Sequence, residues 1–480
     1  MRIMKNNLFV IAITLLMALS IASTALADLE WSGLYRAEGN SIVCPAFGDG
    51  LCKRKEYATH ILMLRPKIVA ADGFIINAQL NIFNSDKYNQ LGAYFGDGLG
   101  SGASTSINDS STVSENQKSE DIKVTQFYLT HKQENAALVV GRVPLQFGLG
   151  MTYNAGNGLF DHYSDTRDLV GYKITMGNFF LMPSYAKIHE GNLSGYDDTT
   201  EINFQLQYEN PEIDATMGVF YQNRHSSQAG NDTPPEAVGG LTANGQYNSK
   251  NFNIFYKKET DNYFVGFELA QQGGSTGVNN ISLSGFGAAL EYEFHPKEHK
   301  NIYGVKAGMA TGDNPKTTKE YEGFIFDRNY DVAMLLFNHG LGQADLLHTK
   351  LLGRTDLQDS PAPDYNTTTV NGEPDVEAIS NVTYLSPYFK RKWSDRWSMT
   401  GALTIAWLND DTVTVGGTDY TTSTDLGYEI DLSINYNISE KITWLNQLGY
   451  FSPGDAWKAG NNNFSTGSIF GFVTKAAVSF

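Results

Sequence analysis

Cysteine is nearly missing from this chain: there are two in 480 residues, Cys44 and Cys52, both in one Gly-rich segment. That excludes a disulfide-dense scaffold, which needs several bridges. No Cys-x-x-Cys pair is present to form a zinc ribbon or a redox centre. Proline is scarce, at 14 residues, and no Pro- or Ser-rich linker divides the chain. One continuous domain is therefore expected rather than several. Beyond residue 27 no apolar run approaches the ~20 residues of a spanning helix, which excludes a helical membrane protein. Basic residues are in deficit, 35 Lys and Arg against 52 Asp and Glu, for a net charge of −17. Such acidity argues against a nucleic-acid partner.

Catalytic and metal signatures are equally thin. No His-Glu-x-x-His motif occurs. Asp161, His162 and Ser164 are close in sequence, but a triad is defined by placement in space. Gly48-Asp49-Gly50 and Gly96-Asp97-Gly98 lack the ligand spacing of a calcium-binding EF-hand loop. The expectation is a protein that is not an enzyme and carries no cofactor and no metal. In an oxidising compartment Cys44 and Cys52 can close a small loop as a disulfide. The alternatives are free thiols or a metal pair, whose nearest histidine, His60, lies in the following strand.

What the chain has in quantity is strand and turn material: 26 Tyr, 27 Phe and 47 Gly. Residues 1–27 read as a secretory signal peptide, with Arg2 and Lys5 before an apolar run from Leu8 to Ala22 and Ala25-Leu26-Ala27 at the end. Residues 28–480 then show eighteen period-two segments bounded by turn residues. Connections alternate strictly between long and polar (85–120, 147–166, 226–247, 312–376, 409–423, 452–465) and short and tight (Ala71-Asp72, Gln133-Glu134, Gly177-Asn178, Ser439-Glu440). A soluble sandwich has no reason to gather its long loops at one end. An outer-membrane barrel has short periplasmic turns and long surface loops. The fold expected is all-β, an antiparallel transmembrane barrel of about 18 strands in the outer membrane of a Gram-negative bacterium.

The two faces of the strands are distinct. Ile202, Phe204, Leu206 and Tyr208 alternate with Glu201, Asn203, Gln205, Gln207 and Glu209, and Tyr428, Ile430 and Leu432 alternate with Glu429 and Asp431. Carboxylates do not face hydrocarbon cheaply, so the polar set is assigned to the lumen. The same alternation assigns Arg65, Lys67, Arg142 and Lys173 inward, where they join Arg36, Glu201, Glu429 and Asp431 in a wall of mixed sign. Such a wall filters solutes by charge, or its charges pair and brace the barrel. The long connection contains an apolar stretch with Phe324, Phe326, Arg328, Tyr330 and Phe337. Hydrophobic content in a long loop packs onto something. Either it folds into the mouth or lumen and narrows the pore, or it covers the rim as an outward hairpin. The last segment, GSIFGFVTKAAVSF, ends on Phe480. That ending resembles the assembly signal of Gram-negative outer-membrane proteins, and it implies outer-membrane lipid and the barrel assembly machinery as partners.

Three stretches together resemble the alginate export family of outer-membrane porins. Leu426-Gly427-Tyr428-Glu429-Ile430-Asp431-Leu432 with Gly449-Tyr450-Phe451-Ser452-Pro453-Gly454-Asp455-Ala456 resembles its C-terminal strand pair, with a shortened spacing before Pro-Gly-Asp. Gly141-Arg142-Val143-Pro144-Leu145-Gln146-Phe147-Gly148 and Ser164-Asp165-Thr166-Arg167 are looser matches. The resemblance implies an eighteen-stranded barrel passing an acidic polysaccharide, with Arg142 and Arg167 lining a selective pore. The chain departs from that pattern in its sparse arginines and its acidity. The expected function is passive passage of a small polar or saccharide solute, including saccharide or polysaccharide export. The competing readings are a closed-barrel surface scaffold whose loops bind a partner and, third, an embedded hydrolase.

Overall fold

The computed structural model describes residues 28–45, 47, 54–70, 73–83, 93–94, 122–189, 198–226, 247–277, 281–296, 300–314, 316–317, 319–342, 346–347, 377–415, 418–458 and 466–480. The signal-peptide segment, Cys52 and both Gly-Asp-Gly sequences lie outside these residues.

Eighteen long strands follow one another around a single closed sheet: β1 (Asp28–Val43), β2 (Arg54–Val69), β3 (Phe74–Ile82), β4 (Lys123–Lys132), β5 (Ala136–Pro144), β6 (Thr166–Met176), β7 (Phe179–His189), β8 (Thr199–Asn210), β9 (Ala215–Ser226), β10 (Tyr247–Glu259), β11 (Tyr263–Ser275), β12 (Ser282–Phe294), β13 (Asn301–Ala310), β14 (Val382–Lys392), β15 (Trp397–Leu408), β16 (Asp425–Ser439), β17 (Ile442–Pro453) and β18 (Ile469–Ser479). Each pairs antiparallel with its neighbours. β1 closes the cylinder against β18, from Leu34↔Ser479 to Val43↔Phe470. Closure leaves no unpaired edge, which a spanning sheet requires because hydrocarbon offers no hydrogen bonds. Phe480 adds one more rung, accepting from the Gly33 N–H at 2.9 Å and donating to its carbonyl at 3.0 Å.

Exposure identifies the two faces. Ile430 is 49 % exposed while its neighbour Glu429 is fully buried, and Phe204 is exposed where Asn203 is buried. The outward set (Val170, Ile202, Leu206, Phe252, Ile430, Leu432, Phe470, Phe472) forms the apolar belt that meets lipid. Near the tight turns, ring pairs such as Trp397–Tyr436 (4.2 Å) and Phe179–Tyr208 (4.7 Å) form part of an aromatic girdle. The barrel therefore spans the outer membrane, with its turns at one face and its long connections at the other.

The expected boundaries hold to within a few residues except before β14, expected from residue 377 and found from Val382. Residues 377–381 turn into the lumen instead, where Ile379 and Ser380 are buried. Asn381 takes a positive φ of 52°, and its side chain bonds the Leu346 and Asp410 carbonyls and the Asp410 N–H. Those bonds offset the backbone strain and fix the bend. A cylinder of eighteen strands is too wide for wall side chains to fill. Among the described residues two connections do most of the filling, residues 145–165 and residues 312–342 with 377–381. The largest apolar cluster centres on Phe324, Leu335 and Phe337 and also takes in Phe47, from between β1 and β2, and Trp457, from between β17 and β18.

Candidate functional site

The inward segments are held to the wall through their main chains. In the long connection, the Leu335 and Leu336 N–H groups donate to the two carboxylate oxygens of Glu429 (2.6 and 2.7 Å), and the Met334 N–H donates to Asp431 (3.2 Å). In the shorter one, Leu149, Met151 and Thr152 N–H groups converge on the carboxylate of Glu268 (2.7, 3.2 and 3.3 Å). Gly148 sits where any Cβ would meet Glu268 Oε2 at 2.5 Å, so the approach needs glycine. A buried hydrogen bond contributes ~0.5–1.5 kcal/mol net, and these buried carboxyl groups would be costly without their amide partners. The wall opposite the segment is cut back to glycine: a Cβ on Gly471 or Gly287 would collide with Leu335 or Phe324.

Two charge clusters flank these anchors. Glu38 on β1 is met by Arg36 (2.6 Å), His162 (2.8 Å) and Lys475 (3.9 Å), and Arg36 also donates to the Asp161 carbonyl. Glu201 on β8 is clamped between Arg167 (2.9 Å) and Arg224 (2.8 Å) and accepts from Gln222. Gln222 in turn accepts from the Tyr153 hydroxyl at 2.9 Å. Burial and the Glu201 charge hold that phenol well above its ordinary range. In the long connection, burial and the adjacent Asp165 carboxylate push the Asp327 carboxyl well above its usual value.

Among the described residues two cavities open in the lumen, both bordered by Asp331, Met334 and Gln447. One of about 240 Å³ is edged by Tyr57, Phe160, His162, Arg328 and Lys475. The other, about 270 Å³, is edged by Glu293, Lys306, Tyr388, Lys390 and Ser433. Along the wall run lengthwise rows of amides, Gln79–Asn81, Gln205–Gln207 (ending on the carboxylate of Glu209) and Asn435–Asn437, each side chain bonded to the one two residues along.

Of the residues expected in the lumen, Arg36, Arg65, Lys67, Arg167, Lys173, Glu201, Glu429 and Asp431 lie on the inner face. Arg65 bonds Gln79 (2.9 Å), Lys67 pairs with Glu30 (2.8 Å), and the Lys173 ammonium stands 3.8 Å from the Phe180 ring centre. Arg142 does not. It lies opposite Phe127 and Asp168, in line with exposed Val140 and Val170, and forms a bidentate pair with Asp168 (2.7 and 2.8 Å) on the outer surface. The sequence there is apolar on both faces, and Val139 and Val143 take the inside by packing with Leu169, Ala186 and Met182. Phe324, Phe326, Tyr330 and Phe337 are buried inside the barrel, not on the rim, and Arg328 lies 4.6 Å from the Tyr163 ring centre. Cys44 is disulfide-bonded, and the chain has one other cysteine. Asp161, His162 and Ser164 form no triad: His162 faces Glu38. Among the described residues no group of three or more His, Cys, Asp or Glu could hold a metal.

Sequence reasoning missed Glu38, Glu268 and Arg224, and weighed His162 as a triad member rather than as the partner of Glu38. Glu268 carried a legible signal, a single carboxylate in phase with Gly266 and Ala270 on an inward face otherwise too small to fill space.

No protein-family model matches the chain, and no curated protein matches it. Solved structures do. OccK11 (OpdR) of Pseudomonas aeruginosa superposes with a TM-score of 0.52 at 8 % identity, covering 94 % of this chain and 96 % of that one. A BenF-like porin from Pseudomonas fluorescens Pf-5 gives 0.50 at 8 % identity over 94 % and 98 %. OccK2 (OpdF) of Pseudomonas aeruginosa gives 0.50 at 7 % identity over 94 % and 98 %. At such identities the likeness establishes the outer-membrane barrel architecture.

Proposed function

We propose that this barrel is an outer-membrane channel for passive passage of polar solutes, narrowed from within by its two inward connections. The observation that carries the reading is the polar lumen wall with cavities on either side of Asp331 and Met334. Uncharged saccharides are the favoured solutes. Arg36, Arg167 and Arg224 are already bound to carboxylates, which leaves little of an arginine track for a polyanion. The half-buried amides Gln205, Gln207, Asn435 and Asn437 offer donors and acceptors to hydroxyl groups without selecting a sign of charge. The alginate-export-like motifs agree with a saccharide cargo and with export, and the C-terminal Phe480 with assembly by the barrel machinery.

Planar-bilayer recording tests the channel: discrete ion conductance supports it, and a barrel that passes no ions makes the chain a surface scaffold. Liposome swelling with neutral, cationic and anionic sugars of equal size then tests the solute. Fastest entry of the neutral sugar is expected, and preference for the anionic one returns the reading to acidic polysaccharide.

A further inference from the structure

We propose that Asn329 is the positioning residue that clasps the two inward connections into one constriction and sets its charge; this rests on the channel reading above. Three hydrogen bonds run from its side chain to the other connection. The amide oxygen accepts from the His162 N–H (2.9 Å) and the Tyr163 N–H (3.0 Å), while the amide nitrogen donates to the Tyr163 carbonyl (2.9 Å). An amide offers both roles at one terminus, and neither a carboxylate nor an ammonium does. The flanking residues reinforce the junction. The Asp327 N–H donates to the Met151 carbonyl at 2.7 Å, Asp327 Oδ1 accepts from the Asn329 N–H at 2.8 Å, and the Arg328 guanidinium covers the Tyr163 ring.

The clasp has an electrostatic consequence. His162, whose main chain Asn329 holds, is the residue whose Nε2 reaches Glu38 at 2.8 Å, beside the cavity that Lys475 and Arg328 share. Each connection is separately anchored to the wall, one on Glu268 and the other on Glu429 and Asp431. Asn329 therefore does not decide whether the segments enter the barrel. It decides whether they move as one body. Without it, His162 leaves Glu38 and that carboxylate faces the lumen with Arg36 and Lys475 alone.

The test compares full-length wild-type, Asn329→Ala and Asn329→Asp proteins of equal β-sheet circular dichroism. Alanine is expected to raise single-channel conductance, add open–closed flicker and move the reversal potential in asymmetric salt toward cations. Exchange of the His162 and Tyr163 amide hydrogens should quicken by about tenfold or more, as three bonds are lost. Aspartate keeps both accepted bonds and loses only the donated one, so its values should fall between. Wild-type exchange rates in Asn329→Ala, or a conducting variant with unchanged current and selectivity, overturn the clasp. If no protein conducts, the channel reading falls, and amide exchange alone decides the clasp.

Discussion

At the scale of single residues, position across the wall decides what a charge does. Arg142 and Arg167 were expected to act alike, yet one faces lipid and the other is buried on Glu201. Arg142→Ala is expected to leave the reversal potential in asymmetric salt unchanged. Arg167→Ala leaves Glu201 with Arg224 as its one guanidinium, and should shift the potential toward cation preference. Asp327 supplies a pH effect. Its carboxyl is pushed up in the docked connection by burial and by Asp165, with Arg328 pulling the other way. The docked segment thus binds a proton that the released segment gives up near the ordinary aspartate value. Docking is favoured below that value, and the advantage is lost as pH rises through the raised one. Current noise should therefore grow from acid to neutral pH, and Asp327→Asn should flatten the dependence. The alternation revealed the inward carboxylates of β8 and β16 because a run of apolar residues, Ile202 to Tyr208 and Tyr428 to Leu432, occupies the opposite phase. It could not place Arg142, where Val139, Val140 and Val143 suit either face.

At the scale of elements, the eighteen strands were legible because lipid on one side and water on the other impose a strict period of two on every one. β14 was overextended at its start because no Gly or Pro separates residues 377–381 from it, and the Asn381 bend turns them inward. The strand pairs also contain a deliberate irregularity. Gly141 on β5 holds φ at 126°, and a Cβ there would stand 2.3 Å from the Phe127 carbonyl oxygen on β4. Gly141→Ala should cost about 1–3 kcal/mol through backbone strain and that clash. A lower urea midpoint for the folded barrel in lipid vesicles would record it, with no change in selectivity expected.

At the scale of the whole molecule, the apolar content of residues 324–337 announced that the long connection packs, but not against what. The partners are a Glu and an Asp on β16 and, through Asn329, the other connection, contacts separated by 93 to 167 residues in sequence. No local pattern encodes such pairings. One property of the anchors reaches further. Glu268, Glu429 and Asp431 grip peptide groups, which every amino acid except proline presents identically. That grip fixes the path of the main chain, while the glycines of the wall and the core around Leu335 and Leu336 fix which side chains fit along it. Room for change lies at Asp331 and Val332, which border the cavity edged by Lys306 and Tyr388; a lineage or an engineer can alter the cargo-facing surface there while keeping the mooring points.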